Sequence, residues 1–84
     1  MKITEVQKDM LKQMLAWDQD YSFDYNWFEG IDRKTLKKEM KILREIGLSK
    51  MSRGGINDDG EVVGGTHFYI PYEKRREVEV LVNN

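Results

Sequence analysis

Apolar residues at helical spacing open the chain and predict its first helix. They recur at intervals of three and four residues, which is the spacing of one helical face: Ile3, Val6, Met10, Met14 and Trp17, with Leu11 and Leu15 widening the stripe. Thr4 is a good N-cap residue, and Gln7 three positions later completes a capping box. The pattern therefore predicts a helix over residues 4–17.

A second and more strongly amphipathic helix is predicted over residues 32–46. Asp32 is a good N-cap residue, strong helix formers follow it, and Gly47 ends the pattern. At about 100° per residue, one arc of about 160° is mainly apolar and holds Thr35, Leu36, Met40, Ile42, Leu43 and Ile46. The opposite arc of about 140° is basic and holds Arg33, Lys34, Lys37, Lys38, Lys41 and Arg44. Glu39 lies on the apolar side and Glu45 on the basic side.

The stretch between these helices alternates acidic or hydroxyl residues with aromatic ones, which indicates a turn or a short extended piece. Asp24 can then cap a short helix over residues 25–29 that Gly30 ends. Six aromatic residues cluster here: Trp17, Tyr21, Phe23, Tyr25, Trp27 and Phe28. We interpret them as core residues of a small domain, and the alternative is a surface for base stacking or protein docking.

A β-hairpin is predicted after the second helix. Residues 48–53 can form one strand, residues 54–60 are rich in turn-forming types, and residues 61–70 can form the returning strand. A glycine pair at 64–65 indicates a bulge or kink in that strand.

The tail over residues 72–84, beyond Pro71, fits two patterns. Val78, Val80 and Val82 alternate as in a strand, whereas Val78, Leu81 and Val82 have the spacing of a short helix. We favour the helix.

Length and composition narrow the class of protein. The 84 residues allow one domain, 1–84, and the lack of cysteine excludes disulfides and thiolate metal sites. The N-terminus has no apolar signal core, and the longest uncharged stretch, residues 62–72, is too short to span a membrane. We expect a soluble, cytoplasmic protein with no membrane association.

The net charge of the whole chain conceals an uneven distribution of charge along the sequence. The formal net charge is -1, but residues 1–31 carry -3, residues 32–53 carry +5 and residues 54–84 carry -3. A basic segment between two acidic ones gives a polarised field, which can orient a domain on a polyanion although the total charge is near zero.

Three ordered segments resemble the winged helix-turn-helix family. They are a glycine and capped helix start over residues 30–36, the helix exit Leu43-Arg44-Glu45-Ile46-Gly47-Leu48, and the glycine-rich hairpin with Arg53-Gly54-Gly55, Gly60 and Gly64-Gly65. The likeness covers roughly residues 24–70. It implies an α+β, mainly helical fold: a winged helix-turn-helix with a three-helix core, a recognition helix at about 32–46 and a β-hairpin wing at about 48–70.

The resemblance implies a protein that binds double-stranded DNA, with the helix 32–46 in the major groove. The expected DNA-binding residues are Arg33, Lys34, Lys37 and Lys38 near the bases, Lys41 and Arg44 further out on the backbone, and Lys50 and Arg53 on the wing. The predicted wing tip, residues 57–61, is acidic, so the hairpin contacts DNA through its flanks or faces away. The size suggests a bacterial or phage transcriptional regulator, and a homodimer is plausible because paired half-sites are the usual arrangement.

A protein–protein interaction module without intrinsic DNA binding is the alternative function, since winged helices also serve as docking domains. RNA binding is a minor third interpretation. We find no nucleophile–base pair, no cofactor loop and no metal-ligand cluster: His67 is the only histidine, and the acidic residues at 57–61 lack the spacing of a calcium-binding loop. The sequence thus predicts no enzymatic activity and no cofactor.

Overall fold

The structure, a computed structural model, describes residues 2–16, 28–53, 59–60 and 66–83, with only the backbone at Ser52, Arg53 and Thr66. In chain order these residues form helix α1 (Glu5–Leu15), helix α2 (Arg33–Glu45), strand β1 (Lys50–Arg53), strand β2 (Thr66–Tyr69), a 3₁₀ turn (Tyr72–Lys74) and helix α3 (Arg75–Val82). The fold is therefore small, mainly helical and of the α+β class.

Helix α1 confirms the first prediction, including its capping box. The Thr4 hydroxyl accepts from the Gln7 backbone N–H at 3.1 Å, and the Gln7 side-chain oxygen accepts from the Thr4 N–H at 3.0 Å. The helix ends at Leu15, two residues earlier than predicted, with Ala16 as C-cap. Trp17 lies outside the described residues.

Helix α2 confirms the second prediction and its boundaries to within one residue. The Asp32 carboxylate caps the first turn by accepting from the Thr35 N–H at 3.0 Å. At the other end, Leu48 N–H donates to Leu43 C=O and Gly47 N–H to Arg44 C=O, the two hydrogen bonds of a Schellman motif. Gly47 has a φ of 83°, the left-handed conformation that this motif requires.

The short helix predicted over residues 25–29 lies mostly outside the described residues. Its last two residues, Phe28 and Glu29, are not helical, so the prediction is wrong there. The Gln13 side chain holds Glu29 by both backbone groups, at 2.8 Å to its N–H and 2.9 Å to its C=O, and this pairing replaces helical hydrogen bonds.

The hairpin is present but its described strands are shorter than predicted. Strands β1 and β2 are antiparallel, with Lys50 opposite Tyr69 and Met51 opposite Phe68. Of the predicted turn, Asp59 and Gly60 are exposed turn residues, whereas residues 54–58 lie outside the described part. Residues 61–65, including the predicted glycine bulge, also lie outside it.

The tail is helical, as favoured from the sequence, because α3 packs its apolar side onto α1. Val78 and Val82 are buried on this side, and Val80, which a strand would have placed with them, is exposed. The third helix of the described fold is thus C-terminal to the hairpin.

One cluster of apolar side chains joins the three helices and strand β2. Every helix and the hairpin contribute to it, through Met10, Leu11, Met14, Phe28, Leu36, Met40, Leu43, Leu48, Phe68, Val78 and Val82. Phe68 is 1% exposed and fixes β2, and with it the hairpin, against the helices. None of the helices in the described ranges has the length and apolar character needed to cross a lipid bilayer.

Candidate nucleic-acid interface

Helix α2 buries a narrow stripe and exposes most of its basic residues. The stripe consists of Leu36, Met40 and Leu43, all at most 2% exposed. On the remaining surface, five of the six predicted basic contacts are exposed: Arg33, Lys34, Lys37, Lys38 and Lys41. They cover about two turns of the helix, roughly 12 Å of its length.

The buried stripe is displaced from the centre of the predicted apolar arc. We expected Thr35, Ile42 and Ile46 to be buried, but the first two are half-buried and Ile46 is 36% exposed. Leu36, Met40 and Leu43 lie on the side of the apolar arc that adjoins Arg33 and Arg44, and they follow the 4–3 spacing of a packed helix seam. Ile46 is the C-cap residue, so it no longer follows the helical wheel.

Because the buried stripe is displaced in this way, Arg44 lies partly in the packed region. We had expected it on the exposed surface as a DNA-backbone contact. Arg44 is half-buried, and its Nη1 donates to the Met51 Sδ of β1 at 3.6 Å. Its Nε–H is buried and has no hydrogen-bond partner in the described part of the chain. The arginine packs between α2 and the hairpin, so it joins these two elements as well as adding positive charge.

The exposed lysines of α2 form no ion pair within the part of the chain that the structure describes. Among the described residues, no carboxylate forms an ion pair with the ammonium groups of Lys34, Lys37, Lys38 or Lys41; the ion pair seen there, Lys74–Glu77, is on the tail. Glu45 is exposed one turn beyond Lys41 on the same side. The basic surface therefore faces solvent from the first turn of the helix to the third.

Asp32 places a carboxylate at the start of this surface, and local hydrogen bonds engage it. One oxygen accepts from the Thr35 hydroxyl at 2.7 Å, and the other from the Thr35 N–H at 3.0 Å. These bonds lower the pKa of the Asp32 carboxyl below its ordinary value of 3.8. The carboxylate is thus ionised at neutral pH, where it complements the positive end of the helix dipole.

The hairpin adds one described cation to this end of the molecule. Lys50 is exposed at the start of β1, and β1 is held to the last turn of α2 by the Arg44–Met51 contact. Arg53, the other predicted wing contact, has its backbone in β1, and its side chain lies outside the described part. Asp59 is exposed, as expected for an acidic turn.

The described residues offer no competing metal site. No three His, Asp or Glu side chains within these ranges gather closely enough to hold an ion. His67 is half-buried in β2, opposite Ser52, on the strand face away from Phe68.

Two hydrogen-bonded contacts between distant parts of the chain were not predicted from the sequence. Buried Gln7 donates through Nε2 to Glu39 Oε2 at 2.8 Å, joining the start of α1 to the middle of α2. The position of Glu39 on the apolar side of α2 could have indicated the first link, because a half-buried carboxylate needs a hydrogen-bond donor. Nothing in the sequence indicated the Gln13–Glu29 pairing.

Comparisons of the chain with protein-family models, curated proteins and solved structures give no match. The resemblance to winged helix-turn-helix proteins therefore rests on the residues themselves.

Proposed function

We propose that the protein binds double-stranded DNA through the exposed basic face of α2. The observation that carries the proposal is the set of lysines on this face, Lys34, Lys37, Lys38 and Lys41, which are exposed and unpaired among the described residues. An α-helix fits the major groove of B-DNA, and lysine side chains reach both phosphates and the acceptor edge of guanine. Solvated helix faces more often mix both signs of charge.

The packing of α2 favours this use because it leaves the four lysines exposed. Leu36, Met40 and Leu43 hold the helix on the core through a separate stripe, so the lysines project from a packed element. Lysines outnumber arginines on the face, and a lysine is a point charge that positions phosphate more than it reads a base. We therefore assign most of the affinity to the DNA backbone and base contacts to Arg33 and Lys34 in the first turn.

Helix α2 followed by an antiparallel hairpin supports the assignment of α2 as the recognition helix and the hairpin as the wing of a winged helix-turn-helix. Lys50, next to the last turn of α2, would extend the positive surface along the DNA backbone. A transcriptional regulator is the role that suits one small DNA-binding domain of this kind.

A salt-dependent titration tests the proposal. Fluorescence anisotropy with a labelled mixed-sequence duplex is measured between about 50 and 200 mM salt, where each neutralised phosphate contributes about 0.9 to the log–log slope. We expect binding that weakens steeply with salt. No binding at the lowest salt would contradict the proposal and leave the protein-interaction module as the better function.

Matched variants locate the interface. Lys37→Glu/Lys41→Glu should abolish binding in this salt range, because two attractive contacts become repulsive. Lys2→Glu/Lys12→Glu makes the same change in net charge at exposed positions outside α2 and should retain most of the binding. Equal losses in the two variants would show that net charge, and not the α2 face, determines binding.

A further inference from the structure

Helix α3 exposes a second surface that DNA binding by α2 does not use. Five exposed residues share one side of the 3₁₀ turn and helix: Tyr72, Arg76, Glu79, Val80 and Asn83. The last four span an arc of about 100° on the helix, away from the buried side with Val78 and Val82, and Tyr72 of the turn lines a shallow groove with Arg76 and Glu79. We name this surface the α3 outer face. Two adjoining shallow grooves run along it.

The apolar groups on this face are unusually open for so small a domain. Tyr72 is 82% exposed and Val80 55%, and they are two of the three large apolar residues that stand exposed in the described part. They lie about two turns apart on either side of Arg76 and Glu79. A large aromatic ring in solvent on the same face as an exposed apolar side chain is typical of a protein contact, where tyrosine is enriched.

The charge of the segment argues against a polyanion as the occupant. Residues 72–83 hold three basic and three acidic groups, so their net charge is zero. Arg76 and Glu79 form no ion pair within the described residues, although they are three positions apart. An arginine N-terminal to a glutamate is the less favourable order for such a pair within a helix. Both groups therefore remain available to a partner of balanced charge.

We propose that the α3 outer face binds the same face of a second copy of the chain, with the two helices antiparallel about a two-fold axis. If the axis passes between positions 77 and 78, Arg76 of each copy faces Glu79 of the other. In the same register Tyr72 of each copy faces Asn83 of the other, beside Val80. The face is thus self-complementary, as an interface about a two-fold axis requires.

The interface is small and the dimer is weak. One side of an eight-residue helix and its preceding turn cannot supply the 600 to 800 Å² or so per partner found in stable complexes. The dimer forms in the upper micromolar range, and a shared ligand would strengthen it by holding two copies together. The proposal does not depend on DNA binding, because the α3 outer face and the basic face of α2 have no residue in common.

Sedimentation equilibrium without DNA tests the proposal. Across about 10 µM to 1 mM protein, the wild-type mass should rise from 10.0 kDa towards twice that value. Glu79→Arg places four arginines at the centre of the interface and should weaken association by about tenfold or more, because the symmetry doubles each unfavourable contact. The charge swap Arg76→Glu/Glu79→Arg restores the opposite charges and should recover the wild-type mass curve.

Glu77→Arg is the matched control. It makes the same change of charge on the same helix, about 160° around from Glu79, and should leave association within about twofold of wild type. A wild-type protein that stays monomeric at 1 mM overturns the proposal. So does an association that Glu79→Arg leaves unchanged, or one that the charge swap fails to restore.

Disulfide trapping tests the register, because the chain has no cysteine of its own. In Tyr72→Cys/Asn83→Cys, the two thiols of one chain are more than about 15 Å apart along the helix, too far to bridge. The proposed register brings each next to its counterpart in the second copy, so mild oxidation should give a covalent dimer on a non-reducing gel. Each single variant should give far less, and equal yields would exclude the register.

Discussion

Single polar side chains define where the helices of this protein start and how they meet. Thr4 and Asp32 cap α1 and α2, and Gln7 continues from the α1 cap to Glu39 on α2. Gln7 is 5% exposed, so its amide must be satisfied by protein groups. Gln7 thereby completes the capping box of α1 and also links α1 to α2. Both roles constrain which residue type can occupy position 7.

The Gln7–Glu39 hydrogen bond gives the first prediction. Gln7→Glu keeps a capping-box residue but sets a second carboxylate beside Glu39, so the free energy of unfolding at neutral pH should fall by about 1 to 3 kcal/mol. In Gln7→Glu/Glu39→Gln the donor and acceptor are exchanged, and most of the loss should be recovered. Urea unfolding followed by circular dichroism measures both. A double variant no more stable than the single one would show that this contact contributes little.

The N-cap of α2 gives a pH-dependent prediction. Hydrogen bonds from the Thr35 hydroxyl and then from its backbone N–H hold the pKa of Asp32 below 3.8 in the folded protein. A lowered folded-state pKa means that the ionised carboxylate stabilises the fold above the unfolded-state value, and this contribution is lost as pH falls through the folded-state value. The side-chain amide of the variant Asp32→Asn caps the helix without titrating, so the wild-type advantage should shrink as pH drops below 3.8.

Thermal unfolding of both proteins between about pH 2 and pH 6 measures this difference. The difference between the two melting temperatures should be constant well above pH 3.8 and should narrow as the pH falls below that value. A difference independent of pH would show that the Asp32 charge has no role in stability.

At the scale of elements, local patterns were sufficient to predict α1, α2 and the hairpin, because each has a periodicity, a cap or a turn that acts within a few residues. The tail fitted both a strand and a helix pattern, and its packing onto α1 favours the helix. The buried stripe of α2 could not be predicted, because six residues of that helix lie on a wide, mainly apolar arc and only the neighbouring elements decide which of them is covered. The contact of Arg44 with Met51 likewise depends on which side of α2 is buried.

The C-terminal end of α2 gives a prediction about backbone conformation. Gly47 has a φ of 83°, and a Cβ placed on it would meet no atom within 4 Å. Gly47→Ala should therefore cost only the strain of the left-handed conformation, about 1 to 2 kcal/mol. Gly47→Asn should cost less, because asparagine tolerates this region. Chemical denaturation ranks the three proteins, and an alanine variant as stable as wild type would mean that the Schellman motif is dispensable.

At the scale of the whole molecule, the basic residues collect on one helix while acidic segments flank it in the sequence. The charge count along the chain was sufficient to predict the candidate interface, since residues 32–53 carry +5 in a protein of net charge -1. The α3 outer face could not be predicted in this way. Its charges cancel, and the exposure of Tyr72 and Val80 depends on how α3 packs onto α1.

The distribution of charge makes the salt dependence of the proposed DNA binding the most informative quantity. Each phosphate that a lysine neutralises contributes about 0.9 to the slope of log K against log salt, so Lys37→Ala/Lys41→Ala should reduce the slope by about 1.8. Lys2→Ala/Lys12→Ala removes the same charge from exposed positions outside α2 and should leave the slope nearly unchanged. A general electrostatic attraction would lower both slopes equally, whereas a discrete interface on α2 lowers only the first. The comparison therefore separates phosphate contact at this face from attraction by the overall field.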